Sequence, residues 1–209
     1  MKMFARYLLE IVFLSAIGRT MESIYKDPNN ITTCEEFERG ARFNPYEIVD
    51  SMWKIFYFWG NTTELYPIAF SISSKKKLDK LKPLIDAVDG TLEVEWSKAT
   101  FLMEPRPGVL VVFLYAGTPG AFRALVKMDR RTKERPFPLP LVKFADIRIK
   151  IMGRYVVMMC CEDMTAYAFA RLNEMPSTEQ DCATESSKLH INLPNAHSYL
   201  YVHRLFDEL

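Results

Sequence analysis

The chain has 209 residues, which is enough for one domain of ordinary size with a substantial core. Its 27 basic and 26 acidic side chains leave a formal net charge of +1, and the basic residues form no continuous stripe. Nucleic acids and acidic membranes are therefore poor candidate partners, and we predict no nucleic-acid partner.

The first 18 residues have the pattern of a secretory signal peptide. Lys2 and Arg6 precede a mostly apolar stretch, and Ala16 and Gly18 supply the small residues that signal peptidase prefers. The stretch is too short to span a bilayer, and no later run of about 18 apolar residues follows. We therefore predict that residues 1–18 are removed and that the mature protein is secreted, with no membrane span.

Two Asn-x-Thr sequons follow, beginning at Asn30 and Asn61. Because such sequons are glycosylated in the secretory pathway, we predict a glycan on each asparagine.

The four cysteines also suit an oxidising compartment, because an even number can pair completely. A bond between the neighbours Cys160 and Cys161 would strain the peptide between them. Cys34 is therefore expected to join one of these neighbours and Cys182 the other, and on a strand the two neighbours would face opposite sides. Four reduced, buried thiols are the alternative.

Seven segments have the composition of β-strands and are separated by turn signals. They cover residues 53–59, 91–103, 109–115, 121–128, 143–152, 155–161 and 165–172. Spacings this short favour antiparallel hairpins over helical crossovers, so we expect a sandwich or a closed barrel. Apolar residues at helical spacing predict one helix within residues 75–88, which Pro83 should kink or end.

Alternation in the later strands separates an inner from an outer face. One face of residues 142–152 is apolar and consists of Ala145, Ile147, Ile149 and Ile151, whereas Asp146, Arg148 and Lys150 form the other. Residues 155–161 are apolar on both faces, which predicts that another segment covers their outer side. In the last strand the large residues Tyr167, Phe169 and Arg171 share a face, as in a wall around an enclosed space.

Three segments, taken in order, resemble the lipocalin family. The stretch FNPYEIVDSMWKIFYF is similar to the lipocalin opening, where a short 3₁₀-like turn precedes a Gly-x-Trp motif; here the motif is Ser51-Met52-Trp53. The stretch MGRYVV before the paired cysteines resembles the hairpin between the sixth and seventh strands, without the family's Thr-Asp-Tyr. The stretch FARL at residues 169–172, followed by Pro176, resembles the end of the eighth lipocalin strand. The resemblance covers residues 34 to about 176 and is to the secreted insect bilin-binding and apolipoprotein D-like type.

This resemblance implies an all-β fold, an eight-stranded antiparallel up-and-down barrel with short helical segments, in a single domain spanning residues 34–209. It implies that Arg171 packs over Trp53 at the closed end and forms the barrel floor with it. The contact of a guanidinium with an indole face contributes about 1 to 2 kcal/mol of stabilisation when the guanidinium is partly desolvated.

The resemblance also implies a disulfide pairing. Insect lipocalins of this type join an N-terminal cysteine to one near the end of the seventh strand, which implies Cys34 with Cys161, and Cys160 as a close alternative. The remaining bridge would then join Cys160 to Cys182.

The implied barrel has room for side chains or for one small ligand. We therefore predict a secreted carrier or sequestering protein for a small hydrophobic molecule, such as a lipid or a pigment, bound through buried apolar surface. Alternate residues of a strand face the same side. Applied to the inner faces, this alternation gives the predicted ligand-binding residues Tyr57, Trp59, Ile147, Ile149, Tyr167 and Phe169. The open alternative is a secreted protein-interaction module whose barrel is filled by its own side chains.

No enzymatic activity is predicted. The chain contains no Gly-x-Ser-x-Gly elbow, Walker loop or His-Glu-x-x-His helix. Its histidines, His190, His197 and His203, all lie near the C-terminus and are too widely spaced to indicate a zinc site. We therefore predict no catalytic residue, no metal and no cofactor.

Overall fold

A computed structural model of the protein describes residues 31–60, 66–128 and 141–202. The predicted signal peptide and both predicted glycosylation sites, Asn30 and Asn61, lie outside these residues, as does His203. Within the described ranges, no helix is both long and apolar enough to cross a membrane.

Strands dominate the described part of the chain. They are β1 (Met52–Trp59), β2 (Ile68–Ile72), β3 (Phe101–Arg106), β4 (Val109–Tyr115), β5 (Ala121–Met128), β6 (Leu141–Met152), β7 (Tyr155–Cys160), β8 (Thr165–Arg171) and β9 (Ala196–Ser198). The α-helices are α1 (Cys34–Glu38), α2 (Lys75–Val88) and α3 (Glu179–Ser187), residues 199–202 are also helical, and short 3₁₀ helices lie at Pro45–Glu47 and Leu172–Glu174.

The strands form one antiparallel sheet that closes on itself. Neighbours along the chain pair from β2 to β8, and β1 pairs with both β8 and β2. The predicted eight-stranded up-and-down barrel is therefore confirmed, with β9 added along β1. Because successive strands run in opposite directions, β1, β3, β5 and β7 end at one rim, which we call the mouth. The even-numbered strands end at the other, which we call the floor.

The barrel interior is a single apolar cluster with side chains from all eight strands. The alternation predicted for β6 is confirmed, since Ala145, Ile147 and Ile149 belong to this cluster and Ile151 packs against it. Arg148 lies on the outer face, where it pairs with Glu38 of α1 at 2.5 Å. Period-two alternation therefore separates the two faces of this strand.

Two further clusters cover parts of the outer wall. Helix α1, helix α3 and the segment after it pack on β1, β7 and β8, where Phe37 and Cys182 contact the outer side chains of the sheet. The predicted covering of β7 is therefore confirmed. Helix α2 packs on β3, β4 and β5 through Leu81 and Ile85.

Two predicted elements differ from those observed. Residues 91–100 form no strand, and β3 begins at Phe101. Helix α2 runs without a break through Pro83, which is exposed, while Leu81 and Ile85 on its other side are buried. The packing of these two side chains on the barrel outweighs the loss of about 3 kcal/mol that an internal proline brings.

Candidate functional site

The floor of the barrel is closed by Trp53, whose side chain is 1% exposed. Its indole N–H donates to the carbonyl oxygen of Ile48 at 2.8 Å, which satisfies the polar atom of a buried ring. Arg171 pairs directly with Trp53 across β1 and β8, and its guanidinium lies 5.0 Å from the ring centroid. Arg171 also donates to the hydroxyl of Ser51 at 3.4 Å. The structure thus places Arg171 over Trp53 as predicted.

An aromatic layer fills the half of the interior nearest the floor. Phe101 stacks on Phe113 with ring centroids 4.4 Å apart, and Phe122 meets Phe101 edge to face at 5.0 Å. Phe70 contacts both Phe101 and Phe169, at 6.1 and 6.2 Å. None of these five rings is more than 3% exposed. This part of the barrel is therefore a packed core.

Near the mouth, the inner side chains are mostly aliphatic, and several are slightly exposed. Val111 and Met158 are each 8% exposed and Ile147 is 7% exposed, whereas Phe101 and Phe113 are completely buried. Three further inner side chains near the mouth are only partly buried and pack against the same cluster. We call this set the mouth lining; it comprises Val111, Val126, Ile147, Met158, Cys160 and Tyr167.

The mouth lining carries two polar groups, and both stay neutral near pH 7. Burial raises the pKa of Tyr167 to about 12, against the opposing effect of its hydrogen bond with Thr165. Burial also raises the pKa of the Cys160 thiol, which lies 3.9 Å from a carboxylate oxygen of Asp163. A phenol and a thiol, both without charge, therefore lie on this part of the inner wall.

A basic side chain lies on the inner face beyond the mouth lining. Lys143 pairs directly with Val126 across β5 and β6, and Ala145, two residues further along β6, belongs to the interior cluster. Residues paired across neighbouring strands project to the same face, so Lys143 projects inward near the rim. The inner wall thus changes from aromatic to aliphatic to basic between floor and mouth.

The predicted ligand-binding residues divide into three groups. Ile147 and Tyr167 belong to the mouth lining. Ile149 and Phe169 face the interior, but each is only 1% exposed and lies in the packed core. Tyr57 and Trp59 were predicted to face inward, and this is wrong, because both pack in the outer cluster against the α3 side of the barrel.

A β-bulge explains why the predicted alternation of inner and outer side chains does not hold along the whole of β1. The pairing of β1 with β8 shifts between Ile55 and Tyr57, so that Phe56 is an extra residue. Ile55 pairs with the inward Phe169, but after the bulge it is Phe58 that pairs with the inward Tyr167. One inserted residue moves every later odd-numbered side chain of β1 to the outside.

One predicted disulfide is confirmed and the other is wrong. Cys34 and Cys161 are bonded, with 5.8 Å between their Cα atoms. Cys160 and Cys182 are free. The reason is the alternation of β7, because Cys160 faces the barrel interior whereas Cys182 lies on α3 in the outer cluster. The wall of the barrel separates the two thiols.

Five further inner-wall residues were not predicted from the sequence: Val111, Val126, Met158, Phe58 and Cys160. Strand register supplies the signal for the first three, because they follow by alternation and pairing once one inner residue of β6 is known.

His190 is exposed, and His197 lies on β9. Among the described residues there is no group of three or more His, Cys, Asp or Glu side chains that could hold a metal ion.

No protein-family model, curated protein or solved structure matches the chain. The likeness to lipocalins therefore rests on the barrel architecture and on the residues that form its floor.

Proposed function

We propose that the protein is a secreted, lipocalin-like carrier or sequestering protein, without enzymatic activity, that holds a small hydrophobic molecule inside the mouth lining. The observation that supports this most directly is the change in side chains along the interior, from five phenylalanine rings in mutual contact to the smaller, mostly aliphatic side chains of the mouth lining. An apolar lining with a few polar groups is typical of small-molecule sites.

The side chains of the mouth lining favour a compact, mostly apolar ligand. Burial of apolar ligand surface contributes about 25 cal/mol per Å², so the aliphatic wall supplies affinity. The neutral phenol of Tyr167 selects an orientation by hydrogen bonding. Because the aromatic layer blocks the floor half, the ligand occupies the upper barrel, where an anionic group at its outer end would meet Lys143.

Secretion is part of the proposal and has its own support. A disulfide that joins residues 127 positions apart is typical of proteins that fold in an oxidising compartment. The two sequons suit the same compartment.

A binding assay with a matched pair of tryptophan variants tests the proposal. Wild-type protein should bind a fluorescent fatty-acid probe stoichiometrically and reversibly. Ile147→Trp fills the mouth lining and should abolish binding, while Ser71→Trp adds the same side chain on the exposed outer face of β2 and should bind as wild type does. Both variants need circular dichroism spectra that match wild type.

The second candidate is the filled barrel that serves as a protein-interaction module, and the aromatic layer favours it. Five phenylalanine rings already occupy the lower interior in direct contact. If wild-type protein binds neither the fatty-acid probe nor a neutral apolar dye, the carrier proposal is wrong and the filled barrel is favoured. Equal binding by Ile147→Trp and wild type would also contradict the proposed site.

A further inference from the structure

Strand β1 divides one of its edges between two different partners. Near the floor it pairs with β2 through Met52 with Ala69 and Trp53 with Ile68, the two pairs that these strands form within the described residues. Nearer the mouth the same edge pairs with β9, along Tyr57–Trp59 and Ala196–Ser198. Strand β9 therefore occupies the position on β1 that a longer β2 would take, and it completes the wall beside the mouth.

The middle residue of β9 faces the barrel interior. His197 pairs with Phe58, which in turn pairs with Tyr167 of the mouth lining, so these three side chains form one row across β9, β1 and β8. Ser198 projects to the opposite face, where its hydroxyl donates to Glu179 of α3 at 2.7 Å. His197 is thus part of the inner wall.

Two aromatic rings contact the imidazole of His197. The ring of Tyr201 stacks on it with centroids 4.3 Å apart and planes within 10°. The ring of Phe58, which is 1% exposed, lies 5.7 Å away on the other strand. The contact that His197 makes with β1, through Phe58, is therefore apolar and favours a neutral imidazole.

We infer that β9 is a pH-sensitive side wall of the barrel mouth, in which protonation of His197 weakens the docking of β9 on β1 and opens the wall between β1 and β2. That the opening would release a bound ligand rests on the proposed carrier function. The opening of the wall itself does not.

The charged and titratable groups around His197 act in two directions. Burial lowers its pKa, and the negative charge of Glu179, which reaches it from the α3 side, opposes this with a smaller effect. Tyr201, on the same segment, stacks on His197. Tyr167 lies beyond Phe58 in the same row of side chains, and its raised pKa keeps the Tyr167 phenol neutral. An aromatic ring can also stabilise a cation, so a direct measurement of the His197 pKa belongs to the test.

The sign of the effect follows from the lowered pKa. When β9 leaves β1, His197 regains an ordinary pKa of about 6.5 and binds a proton more readily than in the docked state. Docking is therefore strongest above this pH, and it weakens as the pH falls toward the lowered pKa of the docked imidazole. We therefore expect mild acid to open the wall between β1 and β2, and we expect alkaline conditions to leave it closed.

Hydrogen exchange of the unliganded protein at pH 7.5 and pH 5.0 tests the side wall, with rates converted to protection factors. In wild type, peptides that cover 57–59 and 196–198 should lose protection at pH 5.0, while peptides of β4 and β5 keep theirs. His197→Phe preserves the ring stack without a titrating group and should show no such loss. His190→Asn, which removes an exposed histidine at a positive φ of 50° that asparagine tolerates, should behave as wild type.

Several results would overturn the inference. Equal protection of both peptides at the two pH values in wild type would do so, as would a loss of the same size in His197→Phe. A His197 pKa at or above 6.5 by NMR titration would contradict the sign. Loss of protection throughout the barrel would indicate acid unfolding in place of a local opening, and would also contradict it.

The link to ligand release has a separate readout. Protein loaded with the fluorescent fatty-acid probe should release it faster at pH 5.0 than at pH 7.5, and His197→Phe should remove this difference. Failure of the probe to bind at either pH contradicts the carrier function and leaves the exchange result standing. Binding with a release rate that does not depend on pH contradicts the link alone.

Discussion

Trp53 is fixed by three kinds of interaction at one position. Its N–H donates to the backbone oxygen of Ile48, its face meets the guanidinium of Arg171, and its body is buried in the interior cluster. Arg171 is in turn oriented by the hydroxyl of Ser51. Ser51 therefore contacts the same guanidinium that lies over the indole ring.

A double-mutant cycle should detect the contact between Trp53 and Arg171. Trp53→Ala should lower the free energy of unfolding by roughly 3 to 5 kcal/mol, because it leaves a large cavity. Arg171→Ala should lower it by about 1 kcal/mol through the lost guanidinium–indole contact. The double variant should lose less than the sum in urea unfolding, because each single change already removes the shared contact.

A control pair uses a cation on the other face of the wall. The ammonium of Lys150 lies 4.3 Å from the ring centroid of Phe37 in α1, on the outside of the barrel. Trp53→Ala combined with Lys150→Ala should be additive within about 0.5 kcal/mol. Additivity for Trp53 with Arg171 as well would contradict an energetic coupling at the floor.

At the scale of elements, the pattern of β6 could be predicted from the sequence and that of β1 could not. Polar side chains such as Asp146 and Arg148 alternate with apolar ones along β6, so the sequence itself marks its faces. Residues 55–59 of β1 are all apolar, and both of its faces are covered. Nothing in such a run reveals that Phe56 is a bulged residue, and the bulge reverses the assignment of Tyr57 and Trp59.

The cysteines show the same limit of sequence reasoning. Alternation correctly predicts that Cys160 and Cys161 face opposite sides of β7. Which of them is accessible to Cys34 depends on the path of the N-terminal segment over the outer wall, and α1 follows β6 and β7 there. That path is a tertiary feature, so the resemblance to a known family supplied the pairing that the residues alone left open.

Helix α2 carries a proline whose replacement should stabilise the protein. Pro83 has no N–H to donate within the helix, and it is exposed, so its ring contributes little packing. Pro83→Ala should raise the free energy of unfolding by about 1 to 3 kcal/mol. Thermal unfolding followed by circular dichroism should show a higher midpoint.

Asp86→Ala, at another exposed position of α2, is the matched control and should change stability by no more than about 0.5 kcal/mol. A lower midpoint for Pro83→Ala would mean that a bend at the proline is needed to bring Leu81 and Ile85 onto the barrel. In that case the stabilising effect predicted from the missing N–H would be wrong.

At the scale of the molecule, the barrel is held from outside by the segments before and after it. The chain before β1 crosses the outer wall, where Glu38 of α1 bonds to Arg148 and to Thr118, while α3 and β9 hold β1 from the C-terminal side. The disulfide from Cys34 to Cys161 joins the start of the first segment to the end of β7. It therefore encloses the barrel strands from β1 to β7 in one covalent loop.

Loss of this disulfide should destabilise the whole fold, because it closes a loop of 127 residues. In the chain-entropy account a loop of this length restricts the unfolded chain strongly, so Cys34→Ala should lower the free energy of unfolding by roughly 2 to 5 kcal/mol. Cys161→Ala and the double variant should lose the same amount, and reduced wild type should melt with them. Thiol titration of denatured, unreduced wild type should find the two free cysteines, Cys160 and Cys182. Four reactive thiols, or equal melting of wild type and Cys34→Ala, would show that the barrel folds without this covalent closure.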